Sequence, residues 1–215
     1  MLERPISVAV VGHVNSGKTS MIRTLARQGS FGEVAEAPGT TREIASTTRT
    51  VRDAIALRFH DTPGLEDPVA LVELINAIPH GATPIDRLRS FLRRPEAGTD
   101  FAPEAKAIRA LLDATGVILV IDAREAVLPK FQCELALLAS SAKPVISVLN
   151  HAAKPGNRTD AWNVAITEHG LPPGVSLDAE TVEPEAEDAL FRQLGAQLVD
   201  RRPEVSTLAA AVQAE

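Results

Sequence analysis

Eight consecutive residues, Gly12-His13-Val14-Asn15-Ser16-Gly17-Lys18-Thr19, stand between a largely apolar run, Ile6 to Val11, and a helix-like stretch from Met21 to Arg27. The spacing is that of a phosphate-binding loop joining a strand to a helix. Gly12 and Gly17 let the backbone curl so that successive N–H groups point inward, and Lys18 adds a point charge for the β- and γ-phosphates of a nucleoside triphosphate. Thr19, followed by Ser20, is placed to offer its hydroxyl to Mg2+. From average residue usage, a chance match in a chain of this length is on the order of one per cent.

At 215 residues the chain has room for one α/β domain with a full core and a short appendage. No apolar run approaches the roughly 18 residues of a membrane span. Cleavage of a leader after Val11 would destroy the loop, so a cytoplasmic location is expected. The net charge of -6 argues against wrapping nucleic acid through phosphate neutralisation. The single cysteine, Cys133, has no internal partner, lies in a helix-like run, and is expected to be a small buried apolar residue without chemistry.

Ile6 to Val11, with only Ser7 and Ala9 interrupting β-branched residues, suits a central parallel strand buried on both faces. Gln28 to Thr41 is rich in Gly, Ser, Pro and Thr and reads as a loop. Ile44 to Val51 and Ala54 to Phe59 read as a hairpin closed at Arg52-Asp53. A helical insertion is expected at about 67–102, with a helix at Val69 to Ile78 and turns at Pro79 to Pro84 and Arg94 to Thr99. Alternation then resumes: helix Pro103 to Ala114, strand Val117 to Ile121, helix Leu128 to Ser141, strand Val145 to Leu149, helix Asp160 to His169, strand Val175 to Leu177 and helix Glu185 to Val199. Leu190, Phe191, Leu194 and Leu198 stripe the last helix. The expected fold is a three-layer α/β sandwich with a mostly parallel six-stranded sheet, one antiparallel edge strand, and helices on both faces. The domain is expected over 1–202 and a tail or linker over 203–215.

Asp61-Thr62-Pro63-Gly64 ends a strand candidate beside the loop, where a carboxylate can hold nucleotide-bound Mg2+ and the Gly64 N–H can meet the γ-phosphate. Taken alone it is also an ordinary turn. Gly39-Thr40-Thr41-Arg42 lies in the polar loop before the second strand. Together the three segments resemble the G domain of translation-factor-related P-loop GTPases, most of all the bacterial Era and TrmE type. The resemblance covers about Pro5 to Arg201 and is similar to bacterial proteins in which such a domain precedes a C-terminal domain of unknown function. It implies that Thr19, Thr41 and Asp61 hold Mg2+, and that Thr41 lets go when the γ-phosphate leaves. It also implies that Asn15 helps bind potassium against the triphosphate, with backbone near Pro38 and Gly39. Asn15 is equally a residue that tolerates left-handed backbone.

Leu65 stands where Ras-like enzymes carry a water-orienting glutamine and cannot do that work. Potassium, or Arg42 as an alternative charge donor, would have to compensate. The family's Asn-Lys-x-Asp base motif reads Asn150-His151-Ala152-Ala153, so the carboxylate that discriminates guanine is missing. His151 can stack on the purine, Asp160 or Asp178 can reach the base from neighbouring loops, and Ser176-Leu177-Asp178-Ala179 resembles the family's Ser-Ala-Lys loop. Asp122 is read as a turn or cap. The Arg87, Arg89, Arg93, Arg94 cluster is read as a solvated face. His13, His60, His80 and His169 show no metal spacing, and Trp162 is a packing residue.

The expected activity is Mg2+-dependent hydrolysis of GTP to GDP and phosphate by a slow molecular switch. Lys18, Asn15, Thr41 and Gly64 would be its catalytic residues. Gly12, Asn15, Ser16, Gly17, Lys18, Thr19, Ser20, Thr41, Asp61, Gly64, Asn150, His151, Asp178 and Ala179 would contact the nucleotide. Without a glutamine, turnover needs help from potassium, an effector or a G-domain homodimer. The alternatives are a nucleotide-binding scaffold with little hydrolysis and a P-loop ATPase of relaxed base specificity.

Overall fold

Strand β1 (Ile6–Val11) buries Ile6, Val8 and Val10 on one face and Ala9 and Val11 on the other, which places it in the middle of a sheet covered on both sides. The computed structural model describes residues 5–32, 44–51, 55–79, 83–181 and 183–198. The sheet order is β2-β3-β1-β4-β5-β6, from β2 (Ala45–Val51), β3 (Ile55–Asp61), β4 (Gly116–Asp122), β5 (Val145–Asn150) and β6 (Val175–Ser176). β2 pairs antiparallel with β3, and every other pairing is parallel. The mostly parallel six-stranded sheet with one antiparallel edge strand follows from the sequence. The Arg52-Asp53 hairpin connection lies outside the described residues, as does the 199–215 segment.

Two helical layers close the faces. Met21, Ile22, Leu25 and Ala26 of α1 (Lys18–Ala26) pack with Leu190, Phe191, Leu194 and Leu198, at the end of α7 (Pro184–Gln197), on the Ile6/Val8/Val10 face. Leu111 of α4 (Ala102–Asp113), Phe131, Leu135 and Leu138 of α5 (Pro129–Ala139), and Trp162 and Ile166 of α6 (Thr159–Glu168) cover the other. Trp162 is fully buried, and its indole N–H donates to the Glu125 carbonyl.

Between β3 and β4 the chain builds a third cluster. α2 (Pro68–Asn76), α3 (Pro84–Phe91) and a 3-10 turn (Pro95–Gly98) join α4 and Leu137 of α5 around Leu71, Ile75, Leu88, Phe91 and Ile108. α2 starts at a proline after Asp67, whose side chain accepts the Ala70 N–H. α3 starts with a capping box between Thr83 and Asp86. The Arg94 to Thr99 turn therefore contains helical backbone. Arg89, Arg93 and Arg94 meet Asp86, Ser90 and Glu96 on the same stretch, as a solvated charged face does.

Several boundaries move. α1 begins at Lys18 rather than Met21, and β3 runs on to Asp61 rather than stopping at Phe59. β6 is shorter than expected, ending at Ser176. Cys133 is half-buried rather than buried, and burial pushes its thiol pKa up, away from reactivity. Among the described residues no helix is long and apolar enough to cross a membrane.

Candidate nucleotide site

The parallel strands β1, β3 and β4 deliver their carboxyl ends to one edge, and the loop between β1 and α1 lies across it. Asn15 (φ 64°) and Gly17 (φ 95°) are left-handed, so the loop curls before α1 starts. Lys18 is buried and donates from Nζ to its own loop, to the Gly12 carbonyl at 3.1 Å and the His13 carbonyl at 2.7 Å. Burial lowers its pKa from 10.5 to about 8, against the opposing pull of Asp61 and Glu134. An ammonium held on neutral carbonyls in a desolvated loop is poised to exchange them for phosphate oxygens.

Thr19, one residue on, donates its hydroxyl to Asp61 Oδ2 at 2.6 Å. Asp61 is buried at the end of β3, and its second oxygen, Oδ1, has no hydrogen-bond partner. Burial raises the carboxyl pKa, while the Thr19 hydroxyl, Lys18 and Arg23 pull it back. A hydroxyl and an orphaned carboxylate oxygen beside a lysine are hard oxygen donors that fit Mg2+ held jointly with phosphates. Among the described residues no group of three or more His, Cys, Asp or Glu could hold a metal unaided. Thr41, with Pro38 to Arg42, lies outside the described residues.

The Asp61-Thr62-Pro63-Gly64 turn is fixed against the loop. Thr62 donates to the Val10 carbonyl at 2.8 Å, and His13 and Leu65 form a parallel bridge. A Cβ on Gly64 would sit 2.8 Å from the Val14 nitrogen and 2.9 Å from its Cα, so the approach requires glycine. Leu65 is buried in the third core cluster and serves packing. Glu104 of α4, itself buried, accepts the Glu66 and Asp67 N–H groups at 3.1 and 3.3 Å. Losing those bonds in Glu104→Ala is expected to cost about 2 to 3 kcal/mol. Urea unfolding would read that loss, and faster amide exchange confined to residues 65–67 would locate it.

Asn150, at the end of β5, is buried and fully engaged with protein groups. Its Nδ2 donates to the Ser16 carbonyl at 3.1 Å, and its Oδ1 accepts from His151 N at 3.1 Å and Ala179 N at 3.0 Å. It thus ties the phosphate loop to the β5–α6 and β6–α7 loops. His151 (φ 60°) turns back toward Asp178, with Nδ1 3.7 Å from Oδ2. Asp160 is exposed in the first turn of α6, where a carboxylate offsets the helix dipole. Asp122 accepts the Arg124 backbone N–H at 3.0 Å and three guanidinium bonds, which hold its carboxyl below the usual range and agree with a turn role.

Sequence reasoning missed His13. Its Nδ1 meets Glu134 Oε1 and its Nε2 meets Lys130 Nζ, both at 2.9 Å, and its ring stands edge-on to Phe131. The phosphate loop is thereby anchored to α5. The contacts span more than a hundred residues, so no local pattern reveals them.

The fold and this lysine-threonine-aspartate arrangement define a P-loop GTPase domain. Residues 7–151 match the 50S ribosome-binding GTPase family, and the chain belongs to it. The tRNA modification GTPase MnmE of Oceanobacillus iheyensis is 33% identical over 96 residues, covering 45% of this chain and 19% of that protein. GTPase Der of Brucella suis is 25% identical over 197 residues, 90% of this chain and 34% of that protein. The chain therefore spans well under two thirds of either relative. A crystal structure of Era in complex with MgGDPNP and a segment of 16S ribosomal RNA shares the fold, with a TM-score of 0.57 at 20% identity over 87% of this chain and 55% of that one.

Proposed function

We propose that this domain binds GTP with Mg2+ and hydrolyses it slowly to GDP and phosphate, acting as a switch whose loops respond to the γ-phosphate. The observation that carries this is the buried Lys18 ammonium on the Gly12 and His13 carbonyls beside the Thr19–Asp61 hydrogen bond. Lys18 leaves those carbonyls for the β- and γ-phosphates and stabilises the charge that develops as water attacks. The N–H groups of the loop from Asn15 to Thr19, with Ser20, cradle the phosphates at the N-terminus of α1. Thr19 Oγ1 and Asp61, with Thr41, would hold Mg2+, which supplies charge neutralisation at the phosphate oxygens when bound. Gly64, pressed on Val14, offers its N–H where the γ-phosphate arrives.

Leu65 leaves water without a side-chain director, so turnover is slow unless potassium, an effector or a G-domain partner assists. Asn15 has the left-handed, exposed position from which a side-chain oxygen can meet a monovalent cation at the phosphates. Phosphate release is expected to be several-fold faster in potassium than in sodium at equal ionic strength. Equal rates would remove Asn15 from the mechanism.

A second reading is a nucleotide-bound scaffold with little hydrolysis, favoured by the burial of Leu65 in the third core cluster. Steady-state phosphate release with GTP and Mg2+ separates the two. Release that vanishes in Lys18→Ala supports the hydrolase, and release that is negligible in the wild type supports the scaffold.

A further inference from the structure

Guanine presents two adjacent donors, N1–H and the 2-amino group, and a pocket that selects it needs acceptors facing that edge. The loop after β5 cannot supply them. Asn150 has spent its amide on Ser16, His151 and Ala179, and the Ala153 side chain accepts nothing. Three carboxylates lie in the loop after β6, and one of them, Glu183, is exposed at the cap of α7. Glu180 is 68% exposed and turns to Lys154 at 3.8 Å. Asp178 is different: its side chain is only 12% exposed, its Oδ1 accepts the Glu180 N–H at 2.9 Å, and its Oδ2 points toward His151.

His151 supplies a second, independent sign of a polar ligand. Its Nδ1 is buried and has no hydrogen-bond partner, standing 3.7 Å from Asp178 Oδ2, too far for a good bond. A polar nitrogen and a carboxylate oxygen thus face each other 3.7 Å apart, on side chains only 15% and 12% exposed. That pair is pinned to the phosphate loop, because Asn150 holds Ser16 with one amide atom and Ala179 with the other.

We infer that Asp178, carried by the loop after β6, is the carboxylate that reads the guanine edge in this chain, held by the Glu180 N–H and replacing the acceptor that Ala153 lacks. The inference rests on the guanine-nucleotide reading above and names the residue that makes it selective. Oδ1 stays on the Glu180 N–H and Oδ2 accepts from the base. Adenine would present the N1 lone pair and a C–H instead, leaving the carboxylate facing an acceptor.

The test uses GDP, ADP and XDP carrying a fluorescent group on the ribose, titrated into the wild type and Asp178→Asn. Asparagine keeps the oxygen that accepts the Glu180 N–H, so the loop stays formed. It places an NH2 where Oδ2 was, which opposes guanine's donors but suits the 2-oxo group of xanthine. The wild type is expected to prefer GDP over ADP by at least about a hundred-fold, the size expected when buried polar groups would otherwise go unpaired. Asp178→Asn is expected to lose about ten-fold or more for GDP, gain about ten-fold for XDP, and leave ADP unchanged. GDP affinity unchanged in the variant overturns the inference, as does an equal fall for GDP and ADP. Equal GDP and ADP affinities in the wild type overturn it while leaving nucleotide binding intact. Binding of neither nucleotide overturns the GTPase reading itself.

Discussion

Replacing Lys18 by alanine is expected to cut GTP turnover by a hundred-fold or more, the scale seen when one preorganised donor to transition-state charge is removed. The variant should fold, because the wild-type ammonium is not an unmixed contributor to stability. It is desolvated in the loop and satisfied mainly by the Gly12 and His13 carbonyls. The pH dependence follows from its lowered pKa. Between pH about 8 and the ordinary 10.5, the unfolded chain keeps a proton that the folded, nucleotide-free protein has released. Wild-type stability from this group therefore rises with pH across that window. Nucleotide binding moves the other way. The phosphates need the ammonium, so GTP affinity is expected to fall above pH about 8 by up to about ten-fold per unit, with proton uptake on binding. Calorimetry in buffers of different ionisation enthalpy would detect the uptake. A Lys18→Ala protein with the same affinity-pH profile as wild type would show that another group titrates.

The phosphate loop was legible because its constraints are backbone constraints packed into eight neighbouring residues. The first turn of α1 was not, because Lys18, Thr19 and Ser20 are polar for the sake of the ligand and the apolar period begins only at Met21. α3 hid for a related reason: only Leu88 and Phe91 are buried among arginines. Its signal was Thr83-Pro84 with Asp86 three residues after the cap, a helix start that periodicity does not weigh. The central strands and the stripe on α7 came through because a strand buried on both faces reads as a continuous apolar run and a helix face packed on the sheet reads as an apolar stripe. Asn150 was recognised, but its role as a clamp between Ser16 and Ala179 depends on loops distant in sequence. The same limit hid His13, Glu104 and the charge pair below, since a single charge in an amphipathic helix reads as solvated.

Glu187→Ala is expected to destabilise the domain by about 3 to 5 kcal/mol, the range for removing one partner of a buried ion pair. Glu187 sits on α7, fully buried, with Arg27 Nη2 at 2.7 Å on one oxygen and Arg49 on the other. The two arginines are not equivalent. Arg27, at the end of α1, is 48% exposed, so its loss in Arg27→Ala is screened and should cost at most about 1 kcal/mol. Arg49, on β2, is 4% exposed, also donates to the Leu25 carbonyl at 2.9 Å, and lies 6.0 Å over the Phe191 ring. Removing Glu187 would take away the carboxylate that this buried guanidinium meets at Nη1. Denaturant unfolding of the single variants and of the double replacement Arg49→Met/Glu187→Leu distinguishes a charge effect from a packing one. The double variant is expected to recover most of the loss, because apolar groups of similar volume replace a desolvated pair at little net cost. If it is as unstable as Glu187→Ala, the pair's value lies in geometry. Arg49 and Glu187 would then be what holds the β2 edge to α1 and α7, and with it the start of the hairpin that leads to Asp61.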